Sequence, residues 1–136
     1  MLDALFNQTP IPALEQFANF AQTRHSILAS NVANFDVPGY RTRDLSVEQF
    51  QSQLKEAITA RDNWSLGNPS PAQTGYGDPF GEVKQSLTSI VHHDETNVGL
   101  EQQIAEITKN QLQHNLAMVI MANQFRLLQA AISERV

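Results

Sequence analysis

The chain has 136 residues, only 17% of them charged, and a formal net charge of −5. That length fits one folded unit, or one unit with a mobile insert, and nine Lys+Arg without a basic cluster make a poor ligand for nucleic acid, because phosphate affinity comes from clustered cations. The lack of cysteine excludes a disulfide framework and thiolate-ligated metal, and leaves the redox compartment open.

The N-terminal stretch MLDALFNQTPIPALEQF has no positive n-region and no long apolar core, so it does not read as a cleavable secretory signal. No uninterrupted apolar run approaches the ~20 residues that span a bilayer, and direct membrane insertion is not expected. A cytosolic chain, or one that leaves the cell by a route needing no cleaved signal, fits both observations.

A first helix is expected over residues 12–35, within an N-terminal unit of residues 1–42. Pro10 and Pro12 suit its first turn. Leu14, Phe17, Ala18, Ala21, Leu28 and Val32 fall mostly on one face of a 3.6-residue period, which Arg24 and His25 interrupt midway. The helix should stop near Phe35, because Val37 precedes Pro38 and a residue before proline is pushed out of the α region. Val37-Pro38-Gly39-Tyr40 reads as a type II turn, with proline and glycine in its central positions. Asn31 and Asn34 sit three apart near the helix end, and their amides both donate and accept hydrogen bonds. Either they bind something or they mark ordinary fraying.

A shorter helix is expected within residues 43–62. Ser46 with Gln49 three residues on resembles a capping box, and Val47, Phe50, Leu54 and Ile58 share one side. Residues 63–96 read as a flexible insert. Four of the six glycines and three of the six prolines lie in residues 63–81, too little apolar surface to offset ordering entropy. Residues 82–91 could pair as a short strand or hairpin. His92-His93-Asp94-Glu95 invites a metal, but neighbouring histidines on a strand point to opposite faces, so a polar loop ahead of a helix is the expected role. His25 and His114 read as single half-buried polar residues in a helix seam.

The last segment, residues 97–136, carries the strongest pattern. Leu100, Ile104, Ile107, Gln111, His114, Met118, Met121, Phe125, Leu128 and Ile132 recur at alternating spacings of 4 and 3, and eight of the ten are apolar. A sustained seven-residue repeat is the mark of a helix lying along another helix. Asn97 is a plausible N-cap, and Glu101 suits the positive end of the helix dipole. Gln111 and His114 within the stripe either fix register or turn a wet face to solvent. Met118 and Met121 read as gap-filling core rather than as a promiscuous groove. No spacing supports a nucleophile with its base and orienting group, so neither an enzyme nor a cofactor is expected. The expected fold is mainly α: N- and C-terminal helices forming an antiparallel coiled-coil-like pair, with a short helix and a flexible Gly/Pro-rich insert that could hold short strands.

Ala29-Ser30-Asn31-Val32-Ala33-Asn34-Phe35-Asp36-Val37-Pro38-Gly39-Tyr40-Arg41 resembles the N-terminal signature of bacterial flagellar rod and hook proteins, in which an Asn-x-Ala-Asn run precedes Thr-Pro-Gly-Tyr. The stretch from Asn97-Val98-Gly99-Leu100-Glu101 through Asn110-Gln111 is similar to the matching C-terminal signature, and the ending Gln129-Ala130-Ala131-Ile132-Ser133 fits a small rod member. Val37 departs from the usual threonine, so no side-chain hydrogen bond is assigned there. The resemblance implies a structural subunit of the proximal rod of the flagellar basal body, in the periplasmic span, that self-assembles and co-assembles through its terminal helices and transmits torque. It implies export without a cleaved signal. The partners it implies are the other flagellar rod proteins, the membrane-ring–rod junction protein and the flagellar type III export apparatus. The expected assembly interface comprises Asn31, Asn34, Pro38, Gly39 and Tyr40 together with the stripe from Leu100 to Ile132. Export substrates of this class often carry Phe followed four residues later by an apolar residue, as Phe50 and Leu54 do. The same pair equally forms the apolar face of the short helix. A cytosolic helical adaptor or export chaperone is the rival reading.

Overall fold

The structure is a computed structural model that describes residues 9–65, 92–93 and 99–133. Helix α1 spans Ile11–Ala33, strand β1 Arg43–Asp44, helix α2 Val47–Ser65, strand β2 His92–His93 and helix α3 Leu100–Ser133. The mainly α expectation and the pairing of terminal helices both hold. Of the flexible insert expected over residues 63–96, residues 63–65 instead close α2, whose helix continues to Ser65; residues 66–91 and 94–96, the strand over residues 82–91 and the Asn97 cap lie outside the described residues.

Each helix boundary has a local cause. Leu14 N–H donates to the Pro10 carbonyl at 3.0 Å, so the prolines sit where the first orphan amides would be. At the far end Asn34 N–H donates to the Ser30 carbonyl at 3.1 Å, and the Asn34 amide folds back onto that carbonyl at 2.8 Å. The chain then turns through Val37–Tyr40, with Tyr40 N–H donating to the Val37 carbonyl at 3.1 Å and Gly39 at φ +78°. That φ is the third-residue value of a type II turn and requires glycine. Ser46 caps α2 by accepting from Gln49 N–H at 3.2 Å.

Helix α1 is the central element, with α2 along one flank and α3 along another. The apolar core lies between α1 and α2: Phe20, Leu45, Phe50 and Ala57 are buried, and Phe17, Ile27, Leu54 and Ile58 pack around them. The Phe20 and Phe50 rings stack at 4.0 Å and 11°, which adds about 0.5–1.5 kcal/mol beyond area burial. Leu54 joins the same cluster, so Phe50 and Leu54 form the inner face of α2. Arg61 near the end of α2 donates to the Thr9 carbonyl at 2.9 Å, which fixes the two helices as antiparallel.

Two expectations need correction. His92–His93 is strand rather than polar loop, pairing antiparallel with β1 in the register Arg43↔His93 and Asp44↔His92. The short partner strand that follows the Pro-Gly turn supplies its ladder, which no local pattern around the histidines reveals. Second, α3 is long and apolar enough, by length and composition, to cross a membrane. Counting contiguous apolar residues missed this, because uncharged Asn and Gln interleave with Leu, Ile and Met along 34 helical residues.

Candidate assembly interface

Asn31 is the pivot of the N-terminal half. It is 1% exposed, and both ends of its amide are used. Its Nδ2 donates to the Arg43 carbonyl at 2.6 Å and to Gln103 Oε1 at 3.2 Å. Its Oδ1 accepts from Arg43 N–H and from the Tyr40 hydroxyl, both at 3.1 Å. One side chain thus ties α1, the post-turn segment and α3 together. Such a buried amide is costly unless every group is paired, and here each is.

One turn pair earlier, Arg24 does the same with charge. Nε and Nη2 donate to the two Asp44 oxygens at 2.8 and 2.7 Å, and Nη2 also reaches Glu106 at 3.0 Å. The hydrogen bonds to Asp44 raise the guanidinium pKa against the opposing effect of burial, with Glu106 adding to the rise. The planar fork suits this bidentate geometry, which lysine could not reproduce. Arg24 reads in sequence as a break in the apolar face; in space it joins α1, β1 and α3. The lone arginine in an apolar stripe was the available signal, and its distant carboxylates gave none.

Helices α1 and α3 run antiparallel, with Asn31 at Gln103, Arg24 at Glu106 and Ala21 at Asn110, whose Nδ2 donates to the Ala21 carbonyl at 2.7 Å. The face of α3 turned inward is Gln103, Ile107, Asn110, His114, Ala117, Met121, Gln124 and Leu128, all buried or half-buried. This is again a seven-residue repeat, but only Ile107, His114, Met121 and Leu128 belong to the apolar stripe. The other inward column is polar or small: Gln103, Asn110, Ala117 and Gln124. The remaining stripe members face outward. Leu100, Ile104, Gln111, Met118, Phe125 and Ile132 are exposed, and Gln111 bonds along its own helix to Asn115 at 3.0 Å. His25 and His114 are half-buried, as expected.

A second outward set escaped the heptad reading. Leu112, Leu116, Val119, Ile120 and Leu127 are exposed, Leu112 by 70% and Leu127 by 63%. From Leu112 onward α3 is therefore apolar around most of its circumference. An exposed apolar surface of that extent is, in general, the mark of an interaction surface. The turn beyond α1 adds Phe35, Val37 and Pro38, also exposed, with Gly39 beside them. Asn34 is spent on its own helix. Among the described residues no group of three His, Asp or Glu side chains could hold a metal.

Comparison with known proteins bears on the same residues. The family model described as flagella basal body rod protein matches residues 18–41, the end of α1 with the Asn31 clamp and the turn. The chain is 24% identical over 119 residues to the flagellar basal body rod protein FlgB of Escherichia coli (strain K12), covering 82% of this chain and 84% of that one. It is 25% identical over 125 residues to FlgB of Aquifex aeolicus (strain VF5), covering 89% and 90%. Against FlgB of Bacillus subtilis (strain 168) the identity is 21% over 131 residues, covering 96% and 97%. The motif match and the near full-length similarity agree: the chain is similar to flagellar basal body rod proteins of the FlgB type.

Proposed function

We propose that this chain is a subunit of the proximal rod that assembles with copies of itself and with other rod proteins, burying the outer face of α3, and so carries torque. The observation that supports this most is the apolar outer surface of α3. Gln103, Asn110 and Ala117 take inward places beside Ile107, His114 and Met121, while Leu112, Leu116, Val119, Ile120 and Leu127 face solvent. Burying five such side chains contributes on the order of 8–15 kcal/mol. Asn115, Asn123 and Arg126 punctuate this surface and would be costly in hydrocarbon, which favours a protein partner over a bilayer. Open-ended stacking follows when the two contacting surfaces differ, since such contacts generate a helical polymer.

The outward stripe residues Leu100, Ile104, Gln111, Met118, Phe125 and Ile132 belong to this interface in the proposal with Pro38, Gly39 and Tyr40, while Ile107, His114, Met121 and Leu128 on the inward face, and Asn31 and Asn34, shape it from within. The membrane-ring–rod junction protein and the type III export apparatus are the further partners, and the periplasmic span is the site. Leu116→Asp and Ile132→Asp, both on exposed positions, leave the isolated chain soluble and abolish its incorporation into basal bodies and swimming. Normal motility in both variants removes the interface. A chaperone role predicts instead that the protein stays in the cytoplasm of motile cells, which fractionation reads directly.

A further inference from the structure

Two exposed apolar surfaces lie at opposite ends of the helix pair, and one charged residue stands within each, with Arg41 and Glu101 flanking the first. The first is the turn after α1. Between Asn31 and Tyr40 the only charged residue is Asp36, exposed beside Phe35, Val37 and Pro38. The second is the distal part of α3. Between Gln111 and Ser133 the only Lys, Arg, Asp or Glu is Arg126, exposed next to Leu127 and one or two turns from Val119 and Ala130. Neither Asp36 nor Arg126 has an ion pair among the described residues.

Within one chain they cannot meet. Asn31 lies at Gln103, which puts the turn at the start of α3. Arg126 stands 23 residues further along that helix, roughly 35 Å away at 1.5 Å per residue. The pairing of Arg24 with Glu106 and of Ala21 with Asn110 carries the first turn of α1 to about residue 120, so the last dozen or so residues of α3 run beyond it. The turn, by contrast, is rigid: Gly39 holds its positive φ, and Tyr40 is tied to Asn31 at 3.1 Å. One end of the helix pair is thus an apolar turn with Asp36 at its centre and exposed Arg41 just beyond it. The other is an apolar helix whose one charged residue between Gln111 and Ser133 is Arg126.

We propose that the turn of one copy docks on the distal third of α3 of the next copy, with Phe35, Val37 and Pro38 against Val119 and Leu127 and with Asp36 paired to Arg126. This rests on the rod-subunit reading and specifies its axial contact. A turn and a helix end are different surfaces, so the contact is heterologous and repeats along one direction. The opposite charges of Asp36 and Arg126, each central to its apolar surface, set its register, because a shifted copy leaves a charge facing apolar surface.

The chain has no cysteine, which makes the test clean. Val37→Cys and Ala130→Cys are placed in one chain, expressed in the motile host, and a short bis-maleimide is applied to isolated basal bodies. The expected product is a ladder in multiples of the 15.2 kDa chain, absent from either single variant. Asp36→Arg and Arg126→Asp each reduce swimming, and the double reversal restores it. A basal body that contains the double-cysteine chain yet gives no ladder, or a product of another mass, overturns docking between copies while leaving the rod-subunit reading intact. So does a charge-reversed double variant that swims no better than the singles. Absence of the chain from basal bodies of motile cells overturns both.

Discussion

Asn31 shows how much one side chain can hold. Its four hydrogen bonds reach two backbone groups of Arg43, the Tyr40 hydroxyl and Gln103. Asn31→Ala leaves buried partners unpaired and is expected to cost about 3 kcal/mol, read as a lowered urea midpoint. An unchanged midpoint would mean that water replaces the amide fully. Gly39 is a different case. Nothing lies within 4 Å of a Cβ built there, so Gly39→Ala meets no clash and costs only the backbone strain of φ +78°. That is about 1–2 kcal/mol, and Gly39→Asn should recover part of it. Arg24 gives the chain little pH sensitivity of its own. Its pKa is raised, so its contribution is complete below the ordinary arginine value and fades only as pH climbs past the folded one, well outside the range of living cells.

At the scale of elements, the local signals translated well and the tertiary ones did not. Proline at the start of α1, the Pro-Gly turn and the Ser46 cap each act within four residues, and a single sequence displays them. The apolar period of α3 announced a paired helix correctly. It could not say which column faces inward, because that choice rests on Gln103 meeting Asn31 and Asn110 meeting the Ala21 carbonyl, contacts 72 and 89 residues apart. Ala117 took an inward place for its size, which lets the helix axes approach. Ala117→Leu should therefore overpack the seam by roughly 1–3 kcal/mol, while Leu116→Ala beside it, on the outer face, should leave monomer stability nearly unchanged. Equal losses in denaturant titrations of the two would contradict the assigned faces. Phe50 raises the export question in a separable form. Phe20→Ala and Phe50→Ala damage the same stack, by about 3–5 kcal/mol each. If Phe50 with Leu54 serves export, only Phe50→Ala accumulates in the cytoplasm.

For the whole molecule, the apolar content is divided between an inner core of α1 with α2 and an outer surface on α3. The first stabilises the subunit, and the second is the surface proposed to meet other copies. Circular dichroism of the dilute chain should accordingly show less helix than the assembled form, with the gain on assembly coming from the distal part of α3. A monomer already at full helicity, melting in one cooperative step, would remove folding on assembly from the account.

The contacts of Arg24, Asn31 and Asn110 have a mechanical meaning as well. Greasy helices can creep past one another, since any methyl serves as well as the next. Pins between a donor and its matching acceptor do not allow that: sliding α3 by a single turn past α1 would strand the buried amides of Gln103 and Asn110 and part Arg24 from Glu106 at once. On the proposed torque-carrying role, a shaft built from such pairs would resist shear within each subunit and, under overload, would part between subunits before any helix pair slips.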